Sequence, residues 1–392
     1  MSSDWIYKPI GEVCKTGAGG TPLKSNKDFY EGGTVPWLLS GEVSKKDITE
    51  ATNFITEKGL NGSSAKVFPK NTVLVAMYGA TAGQTGILRI EAATNQAVCG
   101  IYPNDKFIPE FLYYTILAKN DELISQAAGN AQPNISQVKI KNTLVPVLPL
   151  GEQQRIVAIL DEAFAGIATA TVNAEKNLQN ARELFDSTLQ SVFAEKGEGW
   201  VSRKLGELTE VQSGGTPLRS ISDYWDGAIP WYSSGELNDL YTVESERKIT
   251  EDGLTGSNAK LFPAGSLLIG MYDTAALKMS ILDRHAAFNQ AIAGVKPNEE
   301  IDLVFVRHAI NANKENILNL RRGVRQKNLS LGKIKDIVIP IPDIKEQRKV
   351  VTDLATIKAE VDRLEDIYRK KQDALQELKQ SILQKAFAGE LH

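Results

Sequence analysis

The sequence predicts an α+β protein built as a tandem repeat. Two similar mixed α/β globular domains are separated by two long helices that form an antiparallel coiled coil, related by a pseudo-twofold axis. Three observations predict it. The stretch 151–192 has no proline and carries an apolar stripe at heptad spacing. A second stretch, 343–391, keeps the same beat. The segments in front of them copy one another at an offset of about 194 residues.

In the first helix the stripe is Leu160, Phe164, Ile167, Thr171, Ala174, Leu178, Ala181, Phe185, Thr188 and Val192. In the second it is Leu354, Ile357, Val361, Leu364, Tyr368, Leu375, Leu378 and Ile382, with Lys371 as the polar interruption. Each helix can bury one stripe only, so the two are expected to bury them against each other. At 1.5 Å rise per residue, about 40 residues span roughly 60 Å. The short linker around Gly197 and Gly199 starts the second globular part where the first helix ends, which favours antiparallel pairing.

The repeat is ordered along the chain. Gly19-Gly-Thr-Pro-Leu-Lys is answered by Gly214-Gly-Thr-Pro-Leu-Arg, Pro36-Trp37 by Pro230-Trp231, and Ser40-Gly-Glu by Ser234-Gly-Glu. Thr56 to Pro69 returns as Thr250 to Pro263, and Met77-Tyr78 and Asn95-Gln96 return as Met271-Tyr272 and Asn289-Gln290. The division that follows is 1–148, a central helix at 149–196, a second globular part at 197–341 and a C-terminal helix at 342–392. Short β-rich runs at 73–78, 86–90, 97–102, 266–272 and 279–282 read as strands, and 107–119 and 301–312 as helices. Strands come in clusters, which favours α+β over a doubly wound sheet. A proline-rich hinge, Val145 to Pro149 and Ile339 to Pro342, precedes each long helix.

Composition bounds the setting. An apolar share of 42% over 392 residues supplies ample core. Cys14 and Cys99 make no metal or redox spacing, and a reducing compartment is expected. No basic leader precedes Trp5 and no run reads as the ~18 apolar residues of a membrane helix, so the expectation is a soluble, cytoplasmic chain. The net charge of −3 leaves a polyanionic partner open, because local clustering of Lys and Arg decides that.

Catalytic patterns are missing. His285, His308 and His392 are scattered, no phosphate-cradling loop occurs, and Gly17-Ala-Gly-Gly-Thr-Pro has proline where a dinucleotide fingerprint needs glycine. Asp343 and Glu377 are spread along a helix, where charge patterning accounts for them better than a nuclease site. No metal and no cofactor is expected. The remaining polar chemistry lies in loops. Arg321, Arg322, Arg325, Gln326, Lys327 and Asn328 cluster around Gly323, while the first copy has Asn130, Gln132 and Asn134 ahead of Lys139. Arg and Lys bond guanine edges, Asn and Gln adenine edges, and cations neutralise phosphate. Equal positions with different side chains suit two readers of two sequences; a solvated loop accounts for the composition equally well. After the Gly-Gly-Thr-Pro turns, Thr21, Lys24, Lys27, Thr216 and Arg219 are candidates for phosphate contact, with the glycines read as structural. Trp37 and Trp231, each after a proline, read as core or strand edge rather than as a base-stacking platform. Asn95-Gln96 and Asn289-Gln290, identical in both copies, argue for structure or backbone contact.

Taken together, the Gly-Gly-Thr-Pro start, the Pro-Trp and Ser-Gly-Glu segments, the Gly-x-x-Gln-x-Asn-[Ile/Leu]-Ser loop (129–136 and 323–330), the hinge followed by Glu152-Gln-Gln-Arg155 or Glu346-Gln-Arg348, and the ending Ser381 to Leu391 resemble the DNA specificity subunit of type I restriction-modification systems. The first helix lacks the final glycine of that ending. The resemblance implies that each globular part reads one half of a bipartite double-stranded DNA site. It also implies that the helices form spacers on which two modification methyltransferase subunits dock, with restriction subunits joining for cleavage. S-adenosylmethionine would then sit on the modification subunit. A weakly acidic chain fits a complex whose partners supply most of the DNA grip. The docking contacts are expected around Gln153, Arg155, Gln347, Arg348 and Phe387 on an outer helix face. The competing reading is a tandem scaffold that binds protein or carbohydrate. Replacing 197–341 with the matching segment of a relative should change one half of the methylated motif, read by mapping modified bases; a change in both halves contradicts the two-reader arrangement.

Overall fold

The computed structural model describes residues 5–125, 134–319 and 329–390. The chain forms two compact units, one of Met1–Glu175 with Lys370–His392 and the other of Lys176–Arg369. The unit boundaries fall within the two long helices, Leu150–Glu195 and Ile344–Phe387, so each unit takes part of each helix.

In the first unit a five-stranded sheet runs in the order Thr16–Ala18, Val98–Ile101, Val73–Ala76, Thr85–Leu88, Asp47–Ile48. Its central strands are antiparallel, with Val73 opposite both Ile87 and Ile101. Every residue of Val73–Ala76 is buried, because successive side chains enter different cores. Val73, Val75 and Met77 face the helical side with Ile10, Phe111 and Leu112. Leu74 and Ala76 face Leu38, Phe68 and Leu88. That second layer is a small sheet in the order Phe54–Ile55, Val35–Leu38, Ala92–Thr94, Val67–Phe68. The predicted helices are present as Pro109–Ala118 and Leu303–Ala312, the first with proline in its opening turn.

The second unit repeats this plan with a four-stranded sheet in the order Val211–Ser213, Ile292–Val295, Leu267–Gly270, Met279–Ile281. Leu267, Ile269 and Met271 enter the helical core, while Leu268 packs with Phe262 and Phe288 on the other face. In both units a two-stranded ribbon ties the start of the globular part to its hinge. Tyr7–Pro9 pairs with Leu144–Pro146, and Val201–Lys204 with Val338–Ile341.

Within each unit the two helical stretches run antiparallel. In the first, Ile156 and Leu160 share a core with Leu383, Ala386 and Phe387, and Lys379 lies over the Phe164 ring at 5.3 Å. In the second, Leu189 and Phe193 share a core with Val350 and Leu354, and Arg182 meets Glu365 at 3.4 Å. The predicted stripe is buried or half-buried at every position of the first helix. In the second helix Leu378 departs from it, being 47% exposed. A straight helix drifts ~20° per heptad against a 3.5 repeat. The buried positions have therefore moved on to Leu383, Ala386 and Phe387 by the end of the helix.

Three expected docking residues are corrected by the structure. Gln153 and Gln347 are fully buried and spent on the chain's own backbone. The Gln153 oxygen accepts from Ile108 N–H at 2.9 Å, and its amide donates to the carbonyls of Lys106 and Leu148, each at 2.8 Å. Gln347 accepts from Asp302 N–H at 2.8 Å and donates to Glu300 and Pro342 at 3.0 and 2.9 Å. One amide thus joins the hinge, the start of the long helix and the start of a shorter helix. Phe387 is 8% exposed and stacks tilted on Phe111 at 5.5 Å, so it belongs to the core of its unit. Arg155 and Arg348 remain exposed, Arg155 with Glu152 at 2.7 Å.

The expectation about membrane-length runs also needs correcting. By length and composition the first long helix has an 18-residue window apolar enough to cross a membrane. The same helix carries Asp161. Asp161 is hydrogen-bonded to Tyr114 and ion-paired with Lys46.

Changing Gln153 or Gln347 to Leu removes three hydrogen bonds and strands backbone groups in the interior. Each change should cost about 3 kcal/mol, read as an earlier denaturant midpoint.

Candidate nucleic-acid interface

In each unit three loops are laced to one another by backbone hydrogen bonds. In the first, Gly20 N–H donates to Thr94 O, Met77 N–H to Ala97 O and Ile135 N–H to Met77 O, each at 2.8 Å. In the second, Gly215 donates to Phe288 O and Met271 to Ala291 O at 2.9 Å, and Leu329 to Met271 O at 2.8 Å. The Gly-Gly-Thr turn, the Asn-Gln turn and the end of the polar loop therefore meet beside Met77-Tyr78 and its counterpart Met271-Tyr272.

The glycines are required by this lacing. A Cβ at Gly20 would stand 2.3 Å from Ala65 N, and one at Gly215 would stand 2.2 Å from Asn258 C. At Gly19 and Gly214 the obstacles are Asn95 O at 2.3 Å and Phe288 O at 2.1 Å. The close approach is to the chain's own backbone. The tryptophans seal the same point: Trp37 and Trp231 are buried, and each indole N–H donates at 3.0 Å to the carbonyl of Gly20 or Gly215. The Ser-Gly-Glu segments are also structural. Glu42 accepts from Leu39 N–H at 2.8 Å and Thr52 N–H at 2.9 Å, and Glu236 accepts from Ser233 and Glu246 N–H at 2.6 and 2.9 Å.

Of the residues expected to meet nucleic acid, Thr21 and Thr216 lie in the laced region, where their hydroxyls bond Gln96 and Gln290. Asn134 is exposed and bridges to Tyr78, so it marks where the first polar loop rejoins the scaffold. Lys139 follows on a helix, Gln137–Asn142, capped by Ser136, and its ammonium lies 3.4 Å from Asn134 O. Lys24, Lys27 and Arg219 are exposed on the turn after Thr-Pro. Lys27 has Glu31 at 3.9 Å. That turn packs toward a Thr56-capped helix, with Thr56 N–H bonded to Phe29 O at 3.0 Å. Asn130, Gln132, Arg321, Arg322, Arg325, Gln326, Lys327 and Asn328 lie outside the described residues. Lys66 and Lys260, exposed beside Gly20 and Gly215, were not singled out from the sequence. Their identity in the two copies is the signal that marks them.

The fold and this site define a duplicated recognition module: two equivalent scaffolds, each presenting polar loops at one point. The family model for the type I restriction modification DNA specificity domain matches twice, at residues 2–179 and 197–375, and the chain belongs to that family. It is 23% identical to the MjaVIII specificity subunit of Methanocaldococcus jannaschii over all of this chain and 94% of that one. Identity to the EcoKI specificity subunit of Escherichia coli is 24%, over all of this chain and 90% of the relative. To the EcoR124I/EcoR124II specificity subunit of E. coli it is 27% over 40% of each chain. The fold is shared with the HsdS subunit from Thermoanaerobacter tengcongensis, at TM-score 0.68 and 20% identity over 100% of this chain and 98% of the other. It is shared also with a chain from a structure of type I R-M system assembly and conformational transition, at TM-score 0.77 and 21% identity over 99% and 98%.

Proposed function

We propose that the chain is the non-catalytic DNA-reading subunit of a type I restriction-modification complex, each unit reading one half of a bipartite site. One observation carries this reading. The two units hold their loops on the same hydrogen-bond lacing, yet the loops bear different side chains, amides in 129–134 and mostly cations in 321–328. A shared scaffold with unlike readers suits two different half-sites.

The long helices set the distance between readers and bind the methyltransferase subunits, which hold S-adenosylmethionine; this chain takes no cofactor. With Gln153, Gln347 and Phe387 buried, the docking surface moves to the first helix at Ala158, Ala165, Ala168, Thr169 and Val172, all exposed. These small, weakly polar side chains let a partner helix approach closely. Burial pushes the Cys99 thiol up to about 12, so little reactive thiolate forms.

Duplex affinity of the chain with its methyltransferase should fall steeply with salt and favour one bipartite sequence. Flat salt dependence would support a protein- or carbohydrate-binding scaffold instead. Inserting four residues at facing positions of both helices adds roughly 6 Å. The unread spacer of the methylated motif should then lengthen by one or two base pairs, at about 3.4 Å each. An unchanged spacer would contradict the role given to the helices.

A further inference from the structure

In the second unit an open cleft of about 700 Å³ lies against the Gly214-Gly215 backbone, with Thr216, Ser257, Lys260 and Gln290 around it. The glycine pair packs directly on neighbouring backbone, where a Cβ at Gly214 would stand 2.1 Å from Phe288 O and one at Gly215 2.2 Å from Asn258 C. No carboxylate lines it. Lys260 is exposed and has no ion-pair partner among the described residues. Thr216 Oγ1 donates to Gln290 Oε1, which fixes the amide and leaves its Nε2 hydrogens for a ligand. Ser257 accepts from Ala259 N–H at 3.1 Å, which shapes the turn carrying Lys260.

The first unit has the same set. Gly19, Gly20, Thr21, Ser63, Lys66 and Gln96 are identical to their counterparts, the Thr21 hydroxyl bonds Gln96, and Ser63 accepts from Ala65 N–H at 3.1 Å. Burial explains the glycines. It does not explain the exposed lysine and glutamine, since their exposed neighbours have changed: Ser64 against Asn258, and Val67 against Leu261. Two units that read different bases can share only contacts that do not depend on base identity. The sugar-phosphate backbone offers such a contact, and an ammonium, an amide N–H₂ and a hydroxyl match its oxygens. Gln96 and Gln290 each precede the alanine whose carbonyl bonds Met77 or Met271, so the cleft adjoins the root of the polar loop.

We propose that this cleft, and the matching residue set of the first unit, are phosphodiester seats in which Lys260 with Gln290 and Lys66 with Gln96 hold the DNA backbone. The assignment rests on the DNA-reading function proposed above. The test uses the full chain with its methyltransferase, comparing Lys66→Ala and Lys260→Ala with the parent. Duplex affinity is measured on the methylated sequence and on an unrelated one, between about 50 and 200 mM salt. Each substitution should weaken binding to both duplexes by the same factor, lower the salt slope by about 1 and leave the methylated motif unchanged. Lys260→Arg should restore the slope. If the parent binds with steep salt dependence and both alanine variants match it, or if one variant changes the motif, the seat is wrong and the DNA-reading function stands. If the parent itself shows no salt-dependent binding, the function falls and the seat with it.

Discussion

The structure depends on the burial of one apolar stripe along each long helix. Neither helix can satisfy its stripe alone, and the globular parts supply only some of the cover. The first unit is therefore completed by the last turns of the chain. Phe387 packs on Phe111, and its carbonyl accepts the Tyr7 hydroxyl at 2.7 Å across 380 residues of sequence. Contacts of such separation close late and slowly, because loop-closure entropy precedes the reward. The N-terminal unit cannot reach its final core until the C-terminal helix exists.

Above that frame, the two units separate what is constant from what varies. The glycine pair, the buried indole, the Ser-Gly-Glu turn and the buried glutamine are spent on holding backbone to backbone, and they recur unchanged. The polar segments that end at Ile135 and Leu329 differ in sequence between the two units. A net charge of −3 fits the division. In the proposed complex the partner subunits would carry most of the neutralisation of a long duplex.

Much of this was legible in the sequence because the chain contains its own comparison. The duplication is matched by two copies of one family model, the long helices followed from their stripes, and Trp37 and Trp231 are buried. What stayed hidden depends on contacts between distant segments. Gln153 and Gln347 look like polar residues on a helix surface, and only the fold shows the backbone N–H groups 45 residues away and the carbonyls 47 residues away that they meet. Leu378 fits a strict heptad but lies where the stripe has drifted. Single lysines are common on surfaces, so Lys66 and Lys260 carry no signal alone; beside the glycine turn and its cleft, their recurrence does.

The central claim is that one chain reads two separated stretches of DNA through two equivalent units. Mapping every methylated base in cells that carry this chain and its methyltransferase tests it most directly. The account predicts a single motif made of two specified halves separated by a fixed run of unspecified bases. A continuous motif, or methylation that does not depend on the chain, would contradict it.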